Sequence, residues 1–333
     1  MTATPSVLDW LLEPADPGVR YLALRDLVPG TSASDLAAAR RAAHEHGPIA
    51  TVLDAMGGPG YWAAAGPGYN PKYRSTVWSA VLLAQLGAHI TEDERIARAC
   101  DYLLEHAMAP GGQFSGNGAP SGTVDCLQGN LCWALLALGV TADRLALPLD
   151  WLARSVTGDG IAPRTERDAP VRYYAGKCGP GFACGSNDGL PCAWGAIKVM
   201  RALAAWPESE RTPAARAAID QGLEFLLATD PATAAYPSGY SAKPSGNWWK
   251  FGFPVFYISD ILEIVEVVAA LGQGRDPRLA NAIDAVVNKR APDGTWKLEY
   301  DYAGKTWIDV GPKGRPNKWV TLRALAALAA AGR

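Results

Sequence analysis

Asp125 and Cys126 place an acid and a thiol side by side near the start of the apolar segment GTVDCLQGNLCWALLALG (122–139). Two more thiols, Cys184 and Cys192, stand in CGPGFACGSNDGLPC, and the second directly precedes another apolar segment. A buried acid beside a thiol is costly as core packing, whereas Zn²⁺ accepts both thiolate and carboxylate in a tetrahedral shell. A helix N-terminus also lowers the pKa of a thiol. The sequence therefore predicts a zinc site made by Asp125, Cys126, Cys184 and Cys192, with apolar packing as the alternative for the cysteines.

Basic residues stand before several of the apolar segments. Helix N-termini attract anions, and Lys or Arg side chains beside them cradle a phosphate or a carboxylate. One lysine lies within the aromatic run NWWKFGFP (247–254), where a freely solvated lysine is less expected. The residues predicted to hold an anionic group are Lys72, Arg74, Lys250 and Lys318, and a solvated rim is the alternative for each.

Aromatic residues cluster at or just before the starts of the apolar segments, and the chain as a whole is rich in Trp, with 12. Aromatic walls suit an apolar ligand, and their π faces stabilise positive charge. A second acid, Asp260 in YISDIL, could face the same space, so Asp125 and Asp260 are the candidate catalytic acids. The predicted lining residues are Trp78, Trp194, Trp249, Tyr257 and Trp319, with core packing as the alternative.

Two kinds of helical segment must position these side chains. Six segments rich in Ala and Leu are apolar nearly all round, which predicts burial on most sides; they span 10–30, 73–88, 124–140, 192–207, 255–272 and 318–332. Amphipathic segments alternate with them at 34–56, 92–108, 142–156, 213–229 and 277–289. This alternation predicts an all-α protein, a single α/α-toroid domain over residues 1–333, with about six inner and five to six outer helices around a central cavity. The inner helices of such a ring begin at one mouth, which brings the candidate residues together.

Short motifs between the helices resemble those of a known superfamily. DGTW (293–296) and GGQF (111–114) are similar to degenerate forms of the glutamine/tryptophan motif of the terpenoid cyclases and protein prenyltransferases. Prenyltransferase β subunits carry a zinc-binding Asp and Cys in V-D-x-C and a His at the next inner helix. Here VDC (124–126) has the two residues adjacent, and Cys192 stands where the His is expected. The resemblance implies a bacterial, squalene-cyclase-like or β-subunit-like enzyme that acts on an isoprenoid-like or other apolar substrate with an anionic end, with zinc as its cofactor or none.

Two other functions remain open. A metal-free, acid-initiated cyclase resembling the class II enzymes would use Asp125 as its single acid, although no D-x-D-D motif occurs. A non-catalytic toroid that binds a lipid or a peptide would need neither metal nor acid. Because prenyltransferase β chains work with a helical partner, a separate partner protein stays open as well.

Composition excludes several other classes. The net charge of -2, from 31 basic and 33 acidic residues, gives no field that would favour nucleic acid or an anionic membrane. No apolar run reaches the roughly 18 residues of a membrane span, and the N-terminal segment lacks signal-peptide features, so we expect a cytoplasmic protein with reduced thiols. Nucleotide-binding loops and the H-E-x-x-H and G-x-S-x-G motifs are absent from the sequence.

Overall fold

The computed structural model describes residues 6–241 and 243–333. Within these residues the chain forms thirteen α-helices with short 3₁₀ turns and one π-helical segment, and its β-bridges are isolated ones outside any strand. The predicted all-α class is confirmed. None of the described helices has the length and apolar character needed to cross a bilayer.

Six helices form an inner ring near the predicted positions. They are α2 (Pro17–Leu27), α5 (Thr76–Gln85), α7 (Asp125–Ala137), α9 (Ala193–Ala205), α11 (Ile261–Val268) and α13 (Lys318–Ala330). From α5 onward each inner helix packs on the next, and α13 packs on α2. Gly87, just after α5, lies against Tyr21 and Leu22 of α2 and completes the ring.

The outer helices are α3 (Ala33–Glu45), α4 (Pro48–Asp54), α6 (Glu94–His106), α8 (Ala146–Thr157), α10 (Pro213–Leu227) and α12 (Ala280–Asn288), while the short α1 (Val7–Leu11) packs on α2 and α13. Each outer helix except α4 lies against the inner helix that precedes it in the chain, and α4 packs on α3 and α5. In α6 the buried residues are Ile96, Ala99, Cys100 and Leu103, spaced as one apolar stripe facing the ring. The alternation confirms the predicted α/α toroid.

Proline, glycine and a capping residue move three boundaries from their predicted places. The segment 10–30 forms two helices because Pro17 begins a new one. The first outer segment is divided at Gly47, whose φ of 82° a helix cannot continue. The fifth inner helix starts at Ile261, six residues later than predicted, because the Asp260 side chain caps it there.

Two inner helices, α7 and α9, approach closely at Gly129. A Cβ atom on Gly129 would lie 2.2 Å from the backbone carbonyl carbon of Lys198, so only glycine fits. Four residues further along α7, the Trp133 ring lies 3.4 Å from the Arg201 guanidinium of α9. Later residues of α7 therefore meet later residues of α9, so the two helices run parallel from the same mouth of the ring.

A buried ion pair joins α9 to α11. The Lys198 ammonium lies 2.6 Å from both carboxylate oxygens of Glu263, and both side chains are 0% exposed. Arg201 Nη1 lies 3.5 Å from Glu263 Oε1 and adds a second positive charge. Charges removed from water at this depth stay charged only when they are paired, so this contact fixes the two helices relative to each other.

A second set of charges joins α11 to α13. Arg323 of α13 forms ion pairs with Asp260, at 3.2 Å, and with Glu266, at 2.9 Å, and it donates to the Gly252 carbonyl. Together with the Lys198 pair, these contacts bring three basic and three acidic groups into contact across three consecutive inner helices. Because the positive and negative charges are equal in number and paired, these polar side chains can be buried between the helices.

We expect Glu263→Gln to destabilise the protein by about 3–5 kcal/mol, because it leaves the Lys198 ammonium buried without a carboxylate. The measurement is urea denaturation followed by circular dichroism at neutral pH. The control is the double variant Lys198→Met with Glu263→Leu, which removes both charges and should recover most of the loss. Equal stability of Glu263→Gln and the wild type would contradict this account of the pair.

Candidate functional site

Asp125, the first residue of α7, is a buried carboxyl group. It is 4% exposed, and its Oδ1 atom has no hydrogen-bond partner among the described residues. Burial raises the pKa of Asp125 well above its ordinary value, and the neighbouring Cys184 adds to the increase, while a backbone N–H from Gly179 opposes it. The site therefore favours the protonated carboxyl, which can act as a proton donor.

Two of the predicted cysteines lie close together beside this acid. Cys192 precedes α9, and its thiol lowers the pKa of Cys184 to about 6, helped by backbone N–H groups of Ser186 and Asn187. The nearby Cys184 in turn raises the pKa of Cys192. A Cβ placed on Gly195 would lie 3.6 Å from the Asp125 Cβ and 3.9 Å from the Cys192 sulfur, so acid and thiol flank the same turn of α9.

The pKa of Cys126 is shifted in the direction opposite to the predicted one. Burial raises its pKa to about 12, and the charges of Asp125 and Cys184 act in the same direction. The prediction that the helix N-terminus lowers this pKa is wrong for Cys126, because desolvation of the thiolate outweighs the helix dipole.

The predicted zinc ligands do not form a metal-binding group. Among residues 6–241 and 243–333, no three His, Cys, Asp or Glu side chains are arranged to hold a metal ion. Asp125, Cys126, Cys184 and Cys192 do lie within electrostatic reach of one another. Since a tetrahedral zinc shell needs at least three protein ligands in a suitable geometry, the residues present do not fit zinc.

Tyr69 organises a second group of side chains at the same mouth. Its hydroxyl is hydrogen-bonded to that of Tyr257, and the Lys72 ammonium lies 5.7 Å from the Tyr69 ring and 5.1 Å from the Tyr257 ring. Trp78 donates its indole N–H to the Tyr69 carbonyl at 2.8 Å. Cys126 acts electrostatically on both tyrosines, which places it beside them. Lys72, Cys126 and Tyr257 are thus brought together as predicted from the convergence of the inner helices.

A cleft of about 430 Å³ opens next to Asp125. Val124 and Lys177 line it, and the Asp125 N–H donates to the Lys177 carbonyl at 3.4 Å, so the acid lies directly behind the wall. Its other walls include Tyr69, Arg164 and Tyr174. A second cleft of about 580 Å³ also has Arg164 and Tyr174 in its lining, together with Arg167 and Arg172. Both volumes fall in the range of roughly 300–1,000 Å³ that small-molecule sites occupy.

Two of the four predicted anion-binding residues have other roles. Lys318 pairs with Glu13 at 2.6 Å and Asp16 at 2.5 Å, so its charge fastens the N-terminal segment to α13. Arg74 donates to the carbonyls of Gly304 and Thr306 and holds that loop instead. Lys250 is exposed beside the turn that precedes α11.

Asp260 and most of the predicted lining residues belong to the structural framework. Asp260 caps α11 by accepting from the Glu263 N–H at 2.8 Å and pairs with Arg323, which gives it a structural role in place of the predicted catalytic one. Trp78 is fully buried, and Trp319 stacks on Phe253 with ring centres 4.7 Å apart. These contacts make both tryptophans core residues. Trp249, partly buried, donates its indole N–H to Ala232, and Trp194 is partly buried at the start of α9.

Several residues at the site carry signals that sequence reasoning missed. Lys198 and Glu263 are charged residues inside segments that are otherwise apolar, and this contrast alone marks them as a candidate buried pair. Tyr69, Arg164 and Tyr174 lie in loops without helical periodicity, so their position at the cleft depends on contacts that only the folded chain reveals.

Comparisons with known proteins add little to this description. No family profile matches the chain, and no curated protein matches it. Solved structures of the type II terpene cyclase MstE from Scytonema are similar over most of the chain. A variant in complex with geranylgeranyl dihydroxybenzoate is 14% identical, with 89% of this chain and 97% of that one covered and a TM-score of 0.35. A variant in complex with merosterolic acid A is also 14% identical, with 88% of this chain and 96% of that one covered and a TM-score of 0.34. At such TM-scores the likeness carries no argument, and the assignment of an α/α toroid rests on the helices of this chain.

The raised pKa of Asp125 predicts a specific pH dependence of stability. The folded protein binds the Asp125 proton more tightly than the unfolded chain does. The stabilisation of the folded state by this proton is therefore complete below the ordinary pKa of 3.8 and is lost as pH rises through the folded-state pKa. Asp125→Asn has no proton to lose. Its free energy of unfolding, relative to wild type, should therefore increase by up to about 1.4 kcal/mol per pH unit above a pH of about 4.

Urea denaturation over a pH series from about 4 to about 8 measures this difference. The exposed Asp168, changed to Asn, is the matched control and should give a difference that does not vary with pH. A pH-independent difference for Asp125→Asn would show that its carboxyl group has an ordinary pKa.

Proposed function

We propose that this protein is a metal-free enzyme that protonates an apolar, isoprenoid-like substrate with Asp125 and so initiates a cyclisation. The observation that carries the proposal is the buried Asp125 carboxyl, whose Oδ1 accepts no hydrogen bond among the described residues and whose pKa is raised. A general acid for an alkene must be protonated at working pH and shielded from water, and this environment favours both conditions.

The reaction needs no co-reactant. The π electrons of a substrate alkene form a C–H bond to the Asp125 proton, which leaves a carbocation on the substrate and a carboxylate on the enzyme. A second double bond of the same chain then attacks the cation and closes a ring. Loss of a proton from a neighbouring carbon forms the product alkene, and return of a proton to the carboxylate restores the acid. The net change is an isomerisation.

Substrate access depends on the segment that covers the acid. Ala175, Gly176 and Lys177 line the cleft, and the backbone N–H of Gly179 is near enough to the Asp125 carboxyl to oppose the rise in its pKa. A shift of this glycine-containing segment would open a path from the cleft to the acid, and its return would exclude water from the cation. The segment therefore acts as a lid in the proposed reaction.

The anionic end of the substrate would lie in the outer part of the cleft. Arg164 and Lys177 line the wall beside Asp125, and Lys72 lies over the two tyrosines at the same mouth. Guanidinium and ammonium groups of this kind bind carboxylate or phosphate oxygens with charge-assisted hydrogen bonds. The zinc-assisted transferase interpretation lacks comparable support, because its ligand set does not form a shell.

Asp125→Asn should abolish turnover of linear isoprenoids that carry a carboxylate or diphosphate end. The assay incubates a set of such compounds, graded in chain length, with enzyme in deuterated water and follows cyclic products by mass spectrometry. Wild-type product should contain solvent deuterium at the initiating carbon, a chelator should leave the rate unchanged, and Asp125→Asn should lower kcat by a factor of about 10² to 10⁴.

Asp168→Asn is again the control, since its side chain is exposed in the loop before the lid. Retained turnover in Asp125→Asn, or loss of turnover with chelator, would overturn the proposal. Tight binding of the same compounds without any conversion would instead identify a binding protein.

Arg164→Gln should raise KM for an anionic substrate by about 10- to 100-fold while leaving kcat nearly unchanged, because it removes a charge-assisted contact that is present in both ground and transition states. Steady-state kinetics with an acid and with its methyl ester tests this directly. The wild type and Arg164→Gln should have the same KM for the uncharged ester. Arg216→Gln, an exposed arginine on α10, serves as the matched control. A fall in kcat without a change in KM would contradict the assignment of Arg164 to substrate binding.

A further inference from the structure

Cys184 and Cys192 occupy diagonal positions on the two arms of a short antiparallel bridge. The Cys184 N–H donates to the Leu190 carbonyl at 3.1 Å, and the Cys192 N–H donates to the Phe182 carbonyl at 2.9 Å. Ala183 and Pro191 form the bridge pair between them. Because side chains alternate along extended backbone, Cys184 and Cys192 project from the same face of this bridge.

The turn between the two cysteines is held in place. The Asn187 side chain donates to the carbonyls of Pro191, at 2.9 Å, and Pro237, at 3.1 Å, and it accepts from the Gly239 N–H at 3.0 Å. Asn187 is itself buried. These bonds fix the separation of the two cysteine backbones, so the closeness of the two cysteines is a property of the folded turn.

Both thiols are free, and their exposure differs. Cys184 is 8% exposed, whereas Cys192 is only partly buried. Each thiol shifts the pKa of the other, so the two side chains lie close together. A disulfide requires the sulfurs to approach to roughly 2.05 Å.

We propose that Cys184 and Cys192 form an oxidisable dithiol that closes to an intramolecular disulfide by exchange with a small disulfide such as oxidised glutathione. The thiolate of one cysteine attacks one sulfur of the small disulfide and releases one thiol. The thiolate of the other cysteine then attacks the cysteine sulfur of the mixed disulfide and releases the second thiol. The protein loses two electrons and two protons, and the small disulfide gains them.

The other cysteines are poor competitors for this reaction. Cys100 and Cys132 are buried in the helices α6 and α7. Cys178 is buried and its thiol contacts the Ala175 carbonyl at 3.7 Å. Cys126 is the remaining partly buried thiol, and it lies beside the tyrosine pair and is not part of the bridge. The backbone pairing therefore favours one pairing among the six cysteines.

The proposed disulfide lies next to the proposed acid but does not depend on its role. Formation of the bond removes the ionisable Cys184, which is one of the groups that raise the pKa of Asp125. The redox state of the turn would thus adjust the proton affinity of the neighbouring carboxyl. Peptide mapping detects the disulfide whether or not Asp125 acts as an acid, so the two proposals fail separately.

The test equilibrates the full-length protein with oxidised or reduced glutathione, quenches it with acid and blocks free thiols with N-ethylmaleimide. Trypsin should release CGPGFACGSNDGLPCAWGAIK (178–198) with a mass lower by two hydrogens in the oxidised sample and with Cys178 alkylated. Cleavage before Asp188 should then give two fragments that separate only after reduction. No link in excess oxidised glutathione, or a link that includes Cys178 or Cys126, would overturn the proposal.

Single variants test the two steps of the exchange. Cys184→Ser should accumulate a stable glutathione adduct on Cys192, and Cys192→Ser should accumulate one on Cys184, because neither variant can close the internal disulfide. Cys126→Ser and Cys178→Ser are the controls and should retain the Cys184–Cys192 link. Circular dichroism confirms that each variant is folded. Should a variant fail to fold, the wild-type mapping decides the proposal alone. Failure of both folded variants to trap an adduct would exclude the proposed exchange.

Discussion

The close parallel approach of α7 and α9 at Gly129 is the constraint on which the candidate site depends. With no side chain at Gly129, the backbone of α7 lies against that of α9 at Lys198. One helical turn nearer the mouth, the same close packing of α7 on α9 places Asp125 against the turn that contains Gly195. The Oδ1 atom of Asp125 has no hydrogen-bond partner there among the described residues. A larger residue at Gly129 would separate the helices and admit water to the carboxyl, so helix packing sets the chemistry of the acid.

Buried acids in this ring are held in opposite protonation states by their neighbours. Glu263 has the Lys198 ammonium at 2.6 Å, and the pKa of Glu263 is lowered although burial alone would raise it. Asp125 forms no ion pair with any cation among the described residues, and burial is the largest cause of its raised pKa. Ionised and neutral acids thus occur in one layer of inner helices, and the paired one stabilises the ring while the unpaired one keeps a proton available.

Hydrophobic periodicity was sufficient to predict the six inner helices and the all-α ring, because burial on most sides is recorded in each segment separately. Contacts between distant segments were not predictable in this way. Lys318 looks like a rim lysine in the sequence, yet it pairs with Glu13 and Asp16 because ring closure brings the two ends of the chain together. Asp260 looks like an acid on a helix, yet a boundary shift of six residues turns it into a cap. Such roles depend on tertiary contacts and on exact helix ends, which composition does not determine.

The thiols show how the same residues support different chemistry once distances are known. Asp, Cys, Cys and Cys in a buried region fit zinc by ligand type, but a metal shell requires the sulfurs to converge on a shared centre. Cys184 and Cys192 lie on one face of a bridge, but no third ligand among the described residues completes a metal shell with them. Two neighbouring thiols without further ligands can still exchange with a small disulfide. Asp125 is then a carboxyl without a cation, and its protonated form follows from that absence of a partner in the described part of the chain.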